Sequence, residues 1–251
     1  MTTRTGHTAV QVEGLTVVFG RFVAISDLTF SVRYGEVRGL IGPNGAGKTT
    51  LLDVLTGKSR PREGRVLLDG TINLEGLNEV ARVQAGIGRK FQKPSVFEAL
   101  TVHENLDLAC RLHPRSLPRE VLERDGRKRE RIERLLDIIG LTALRGAPAG
   151  VLSHGQKQWL EIGMVVVQEP KLLLLDEPVA GMSDEETART ATLIKTLRSP
   201  DRSIVVVEHD MDFVEQVADD VTVLQDGRTL FEGSMVAARQ DPRVIEGYIG
   251  R

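Results

Sequence analysis

Gly42-Pro43-Asn44-Gly45-Ala46-Gly47-Lys48-Thr49, with Thr50 behind it, decides how this chain is read. The stretch fits G-x-x-x-x-G-K-[ST]. The apolar run Val37 to Ile41 precedes it and a helix-like segment, Lys48 to Leu55, follows. A loop of this kind works only in that setting, between a strand that delivers it and a helix that leaves it. Its glycines let successive backbone N–H groups turn inward into an anion nest, and the helix points its positive end the same way. Lys48 then offers a point charge to the β- and γ-phosphates of a nucleotide, and Thr49 a hydroxyl to Mg²⁺. Gly57 stands where such a helix stops.

A second element supplies the metal's other partner. Leu172 to Leu175 reads as a buried strand that delivers Asp176 and Glu177 at its C-terminal end, where ligands gather in open parallel sheets. Asp176 is expected to hold Mg²⁺ and Glu177 to orient or deprotonate an attacking water. Alone, Asp-Glu before Pro178 would read as the start of a turn; the phosphate loop gives the pair its meaning.

Around these two elements the pattern is α/β. Val10, Val12, Leu15 and Val17, then Leu28, Phe30 and Val32, form short apolar runs broken by Gly14, Gly20 and Gly35. Val66 to Leu68 with Asp69-Gly70, and Val221 to Leu224 with Asp226-Gly227 and Thr229 to Phe231, read as hairpins. Ser203 to Glu208 is another buried strand. The middle is helical: Thr101 and Glu104 form a capping box, as do Ser183 and Glu186 further on, and apolar residues recur at helical spacing from Arg119 to Ile139, with Gly140 after them. The cationic cluster Arg127 to Arg134 is interrupted by Glu130 and Glu133 at i,i+3 and i,i+4 spacings and reads as a solvated helix face.

Composition narrows the classes further. In 251 residues, 33 basic and 35 acidic side chains leave a net charge of −2, which argues against a nucleic-acid surface. The longest charge-free apolar stretches, Ile162 to Val167 and Leu172 to Leu175, fall far short of the roughly 20 residues a membrane span needs. The first ten residues lack the apolar core of a secretory signal. The single cysteine, Cys110, cannot form an internal disulfide, in keeping with a reducing cytoplasm.

With those motifs placed, Leu152-Ser153-His154-Gly155-Gln156, ending 20 residues before Asp176, resembles the signature (LSGGQ) of the ATP-binding cassette, or ABC, ATPases. Phe19 stands at that family's adenine-stacking position, Gln92 at its Q-loop, Glu177 directly after the Walker B aspartate and His209 at its switch histidine. The resemblance implies a P-loop NTPase fold of the ABC type, with a mixed or parallel sheet core, an antiparallel β subdomain and an α-helical subdomain. One domain, 1–251, would comprise a catalytic core at about 8–92 and 165–235, a helical subdomain at about 93–164 and a short tail at about 236–251. It further implies that Gly42 to Thr50 and Phe19 hold ATP, that Thr49, Gln92 and Asp176 hold Mg²⁺, and that Lys48, Gln92, Glu177 and His209 act in hydrolysis. Ser153, Gly155 and Gln156 would face the ATP of a second ATP-binding subunit, identical or different, packed head to tail. Ser153 and Gln156 also make a capping box, so a structural role for the signature stands beside the functional one.

Two departures mark the match. His154 replaces the first signature glycine, placing an imidazole near the partner's γ-phosphate, and Ser183 stands where the D-loop commonly carries Asp. Arg89 to Ala109, Leu152 to Met164 and the ending Val244 to Arg251 resemble the ATP-binding subunits of branched-chain amino acid and urea importers, the first two being closest to the urea type. That resemblance implies permease subunits, an external solute-binding protein and a place on the cytoplasmic face of the membrane. Lys93 to Leu100 would form the groove for a permease helix, although Val96, Phe97 and Leu100 read equally well as subdomain core. A soluble ABC ATPase of the iron-sulfur assembly type and a weakly active regulatory subunit are the alternatives.

Overall fold

The computed structural model describes residues 7–92, 95–111 and 124–249. Two sheets form its framework. Strands β1 (Thr8–Phe19), β2 (Phe22–Arg33), β4 (Glu63–Leu68) and β5 (Ile72–Asn73) make an antiparallel sheet in the order β2-β1-β4-β5. The second sheet runs β10-β9-β3-β8-β7-β6. Here β3 is Val37–Ile41, β6 Ile87–Lys90, β7 Leu172–Asp176, β8 Ser203–Val207, β9 Asp220–Gln225 and β10 Arg228–Gly233. Its strands pair in parallel except β10, which returns antiparallel on β9.

The central strands are apolar throughout because both faces are covered. Leu172 and Leu174 of β7 join the apolar layer shared with the antiparallel sheet and helix α1 (Lys48–Thr56), whereas Leu173 and Leu175 join the layer under the other helices. β8 repeats the alternation, with Val205 and Val207 on the first face and Ile204 and Val206 on the second. Each such side chain taken fully out of water contributes about 1.5–3 kcal/mol, and β7, which ends at the acidic pair, is buried at every position.

Helices α3 (Val102–Arg111), α4 (Arg124–Ile139) and α5 (His154–Val166) pack through Leu106, Ile132, Leu136, Ile139 and Leu160. The Thr101 box is present, with reciprocal Thr101–Glu104 bonds of 2.8 and 3.1 Å. Helix α4 carries the cationic cluster mostly outward, tied by Arg134–Glu130 and Lys128–Asp107 pairs; the expected stretch from Arg119 to Glu123 lies outside the described residues. Val96 packs against this core, while Phe97 is half exposed.

One expectation is corrected. Gly14 does not end a strand: β1 runs on as twelve residues, and Gly14 (φ +58°) sits where its register shifts between Val12 and Leu15. A glycine inside a strand commonly marks such a bulge. Both Asp-Gly hairpins are present, with Asp69 and Asp226 at positive φ, 57° and 49°. Helix α2 (Glu79–Ala85) precedes β6, α6 (Asp184–Leu197) connects β7 to β8, α7 (Met211–Val217) connects β8 to β9, and α8 (Met235–Gln240) follows β10.

Candidate active site

The phosphate loop leaves β3 at Gly42, whose φ is +145° and where any Cβ would run into the Leu224 carbonyl oxygen of β9. Only glycine fits. The loop then turns into α1, with Lys48 as its first residue, 6% exposed. The Lys48 ammonium donates to the carbonyl oxygens of Gly42 (2.6 Å) and Pro43 (2.9 Å). Burial lowers its pKa, and the charges of Glu177 and Asp176 oppose that shift. The loop thus holds a cation in a low-dielectric setting with carboxylates nearby, where an anion is attracted far more strongly than in water.

At the end of β7, Glu177 sits in the left-handed region (φ +47°), a strained conformation for a side chain of its size. Its N–H donates to the Val207 carbonyl of β8 at 2.9 Å, which holds the turn. Gln92 Nε2 donates to Glu177 Oε2 (2.5 Å), and His209 Nε2 lies 3.1 Å from Glu177 Oε1. An ionised carboxylate only accepts, so the tautomer of His209 with its proton on Nε2 is the one that can donate to it. A cavity of 190 Å³ is lined by Asn44 to Thr50, Glu177, His209, Phe22, Ala24 and Val207. The phosphate loop and the acid–imidazole pair, far apart in sequence, therefore share one space. Asp176, buried, and Gln92 do not line it: Asp176 precedes Glu177 in the chain, and Gln92 reaches the cavity through its bond to Glu177.

Strand β6 contributes two residues that sequence reasoning missed. Arg89 donates to Asp53 Oδ1 of α1 (2.6 Å) and to Asp176 Oδ2 (2.7 Å). Lys90 points to the opposite face, fully buried, with Nζ 3.4 Å from the Asp176 carbonyl oxygen. Burial lowers the Lys90 pKa against the charges of Glu161, Asp176 and Glu208. Burial likewise pushes the Glu161 carboxyl of α5 up to about 7, against Lys90 and the N–H groups of Ser95 and Phe91. Glu208, also raised by burial, accepts from the N–H groups of Val179 (3.0 Å) and His209 (3.1 Å), bracing the segments after Glu177 and at His209. The available sequence signal was two consecutive cations in a strand directly before Phe91-Gln92.

Phe19 and Phe22 face each other across the β1–β2 turn, 51% and 63% exposed. Phe22, not Phe19, lines the cavity. A two-residue turn separates them, too little for spacing alone to choose between them. Ser153 and Gln156 lie elsewhere, on a second cavity shared with Trp159, Ser183, Glu185, Glu186 and Arg189. Their capping box is complete, and so is that of Ser183 and Glu186. The Glu186 carboxylate also accepts from Ser153 Oγ at 3.3 Å and lies so close over Gly155 that a Cβ there would meet it. His154 Nε2 lies 3.0 Å from the Ala180 carbonyl oxygen. The imidazole expected beside a partner's phosphate is thus engaged within its own chain, against the loop after Glu177.

A family model described as ABC transporter matches residues 25–180. The high-affinity branched-chain amino acid transport ATP-binding protein BraF of Pseudomonas aeruginosa is 34% identical over 249 residues, covering 96% of this chain and 97% of that protein. The arabinose import ATP-binding protein AraG 2 of Burkholderia cenocepacia is 35% identical over 262 residues, 100% of this chain but 50% of its own length. Among solved structures, an ATP-binding cassette of an ABC transporter in its ADP conformation superposes with a TM-score of 0.84 at 30% identity, covering 97% of this chain and 99% of that one.

Proposed function

The chain belongs to the ABC transporter family, and on that footing we propose that it is the ATP-hydrolysing subunit of a membrane importer, working as one of two such subunits closed over ATP. The observation that carries this reading is the Glu177 carboxylate, held between Gln92 and His209 at a cavity floored by the phosphate loop. Lys48 and the loop N–H groups bind the β- and γ-phosphates. The reaction disperses charge over the γ-phosphoryl oxygens, so fixed donors stabilise it without reorganising. Glu177 takes the proton of the attacking water, and His209, donating to the same carboxylate, keeps it aimed.

The residues present fit Mg²⁺. Thr49, Asp176 and Gln92 each have an oxygen to offer, the donor that ion prefers; Gln92 uses its N–H on Glu177 and keeps its carbonyl oxygen for the role. Bound by these residues, Mg²⁺ would supply positive charge to offset that of the phosphates. Ser153 and Gln156, on their separate cavity, and Gly155 between them complete the site of the second subunit. Phe22 carries the adenine: Phe22→Ala is expected to weaken ATP binding by about 1 kcal/mol, roughly fivefold, and Phe19→Ala by less. Calorimetric titration of both variants checks this, and the reverse order would return the role to Phe19.

Among the described residues no helix is long and apolar enough to cross a membrane. On this reading permease subunits supply the bilayer contact, and an external solute-binding protein delivers cargo to the complex. For cargo we favour urea or a related small amide, on the strength of Arg89 to Ala109 and Leu152 to Met164, with a branched-chain amino acid next. The tagged complex purified from membranes is expected to contain permeases, and its ATPase to rise with urea and its binding protein. Stimulation by leucine alone would reassign the cargo; recovery without any permease would return the chain to the soluble class.

A further inference from the structure

Arg89 is an enclosed cation beside the site, with two carboxylate partners, for which hydrolysis itself assigns no task. Its side chain is 4% exposed, and its two terminal nitrogens hold different carboxylates, Asp53 Oδ1 at 2.6 Å and Asp176 Oδ2 at 2.7 Å. The Phe91 ring lies 4.9 Å from its Cζ and packs on the guanidinium. The two carboxylates belong to different elements. Asp53 lies in α1, the helix that begins Lys48-Thr49, and Asp176 is the last residue of β7. One planar fork thus fastens the strand that presents Asp176 to the helix that presents Thr49. Lysine, a single point charge, cannot span both with that geometry. Asp176 neighbours Glu177, so a carboxylate there without a counter-charge would be repelled by the adjacent acid and by Asp53.

We propose that Arg89 is a positioning residue of the magnesium site: by gripping Asp176 Oδ2 and anchoring to Asp53, it sets the Asp176 carboxylate in register with Thr49. This rests on the reading of Asp176 and Thr49 as magnesium ligands. Partners of this kind commonly change metal affinity 10–100-fold when removed. The hydrogen bonds of Arg89 go to Asp53 and Asp176 and not to the phosphate loop, so metal-free nucleotide affinity is expected to be left alone.

The test uses the full chain and a fluorescent trinitrophenyl-ATP, titrated first in EDTA and then with rising Mg²⁺. Arg89→Met is expected to bind the probe in EDTA like the wild type and to need about tenfold more Mg²⁺ for the half-maximal response. Arg89→Lys should fall between the two, and Asp53→Asn, which leaves the Arg89–Asp176 pair in place, should shift the midpoint less, in the same direction. Circular dichroism identifies a misfolded variant; if Arg89→Met is one, the Arg89→Lys and Asp53→Asn midpoints decide. A folded Arg89→Met with an unchanged or lower midpoint overturns the proposal, since the guanidinium would then be a structural pair or a competitor of the metal. A wild type whose probe binding ignores Mg²⁺ overturns instead the ligand reading beneath it.

Discussion

Glu177→Gln is expected to bind ATP as tightly as the wild type, to accumulate a closed two-subunit form and to lose turnover by about 10²–10⁴-fold, the usual contribution of a positioned base. The substitution keeps shape and volume. Its amide can still accept from His209 or Gln92, so the surroundings stay in place while the proton acceptor disappears. Phosphate release from the purified complex measures the loss, and gel filtration with ATP and Mg²⁺ measures the trapped form. Undiminished hydrolysis would remove Glu177 from the role and move attention to His209, which also lines the cavity.

Lys48→Ala acts earlier, at binding. The ammonium sits 6% exposed against two backbone carbonyls, already desolvated and aimed along the loop. Its removal deletes a charge-assisted contact to phosphate, about 1.5–3 kcal/mol, which is roughly 10–150-fold in ATP affinity. It also leaves the Gly42 and Pro43 carbonyls short of a donor. Titration with the fluorescent nucleotide reads the loss directly, with circular dichroism confirming the fold. Wild-type affinity in that variant would mean that the backbone nest alone holds the phosphates.

How much of this was legible in the sequence varied with the physics involved. The phosphate loop was, because a backbone that must turn its N–H groups inward requires glycine at fixed positions. The buried strands were, because a strand covered on both faces has nowhere to put a polar side chain. The Thr101, Ser153 and Ser183 caps were, because a capping box is local. What stayed hidden is tertiary. Arg89 and Lys90 carry no local mark of their surroundings until β6 is seen seated beside β7, where their counter-charges come from α1, β7, α5 and the segment after β8. Phe19 and Phe22 flank one two-residue turn, and only the cavity built by distant segments tells them apart. His154 read as a residue facing outward because nothing local revealed that Ala180 would meet it.

The leucine run before Asp176 has one more consequence. Leu172 and Leu174 face the α1 side, Leu173 and Leu175 the other, and Asp176 continues the first set toward Arg89 and Asp53. Deleting a single leucine would leave a run just as greasy, yet the next acid would emerge on the opposite face of the sheet, looking at Glu161 rather than at the phosphate loop. Here the parity of the run matters more than its composition: the strand keeps count by twos, and an odd-numbered slip would uncouple a nearly intact fold from its chemistry.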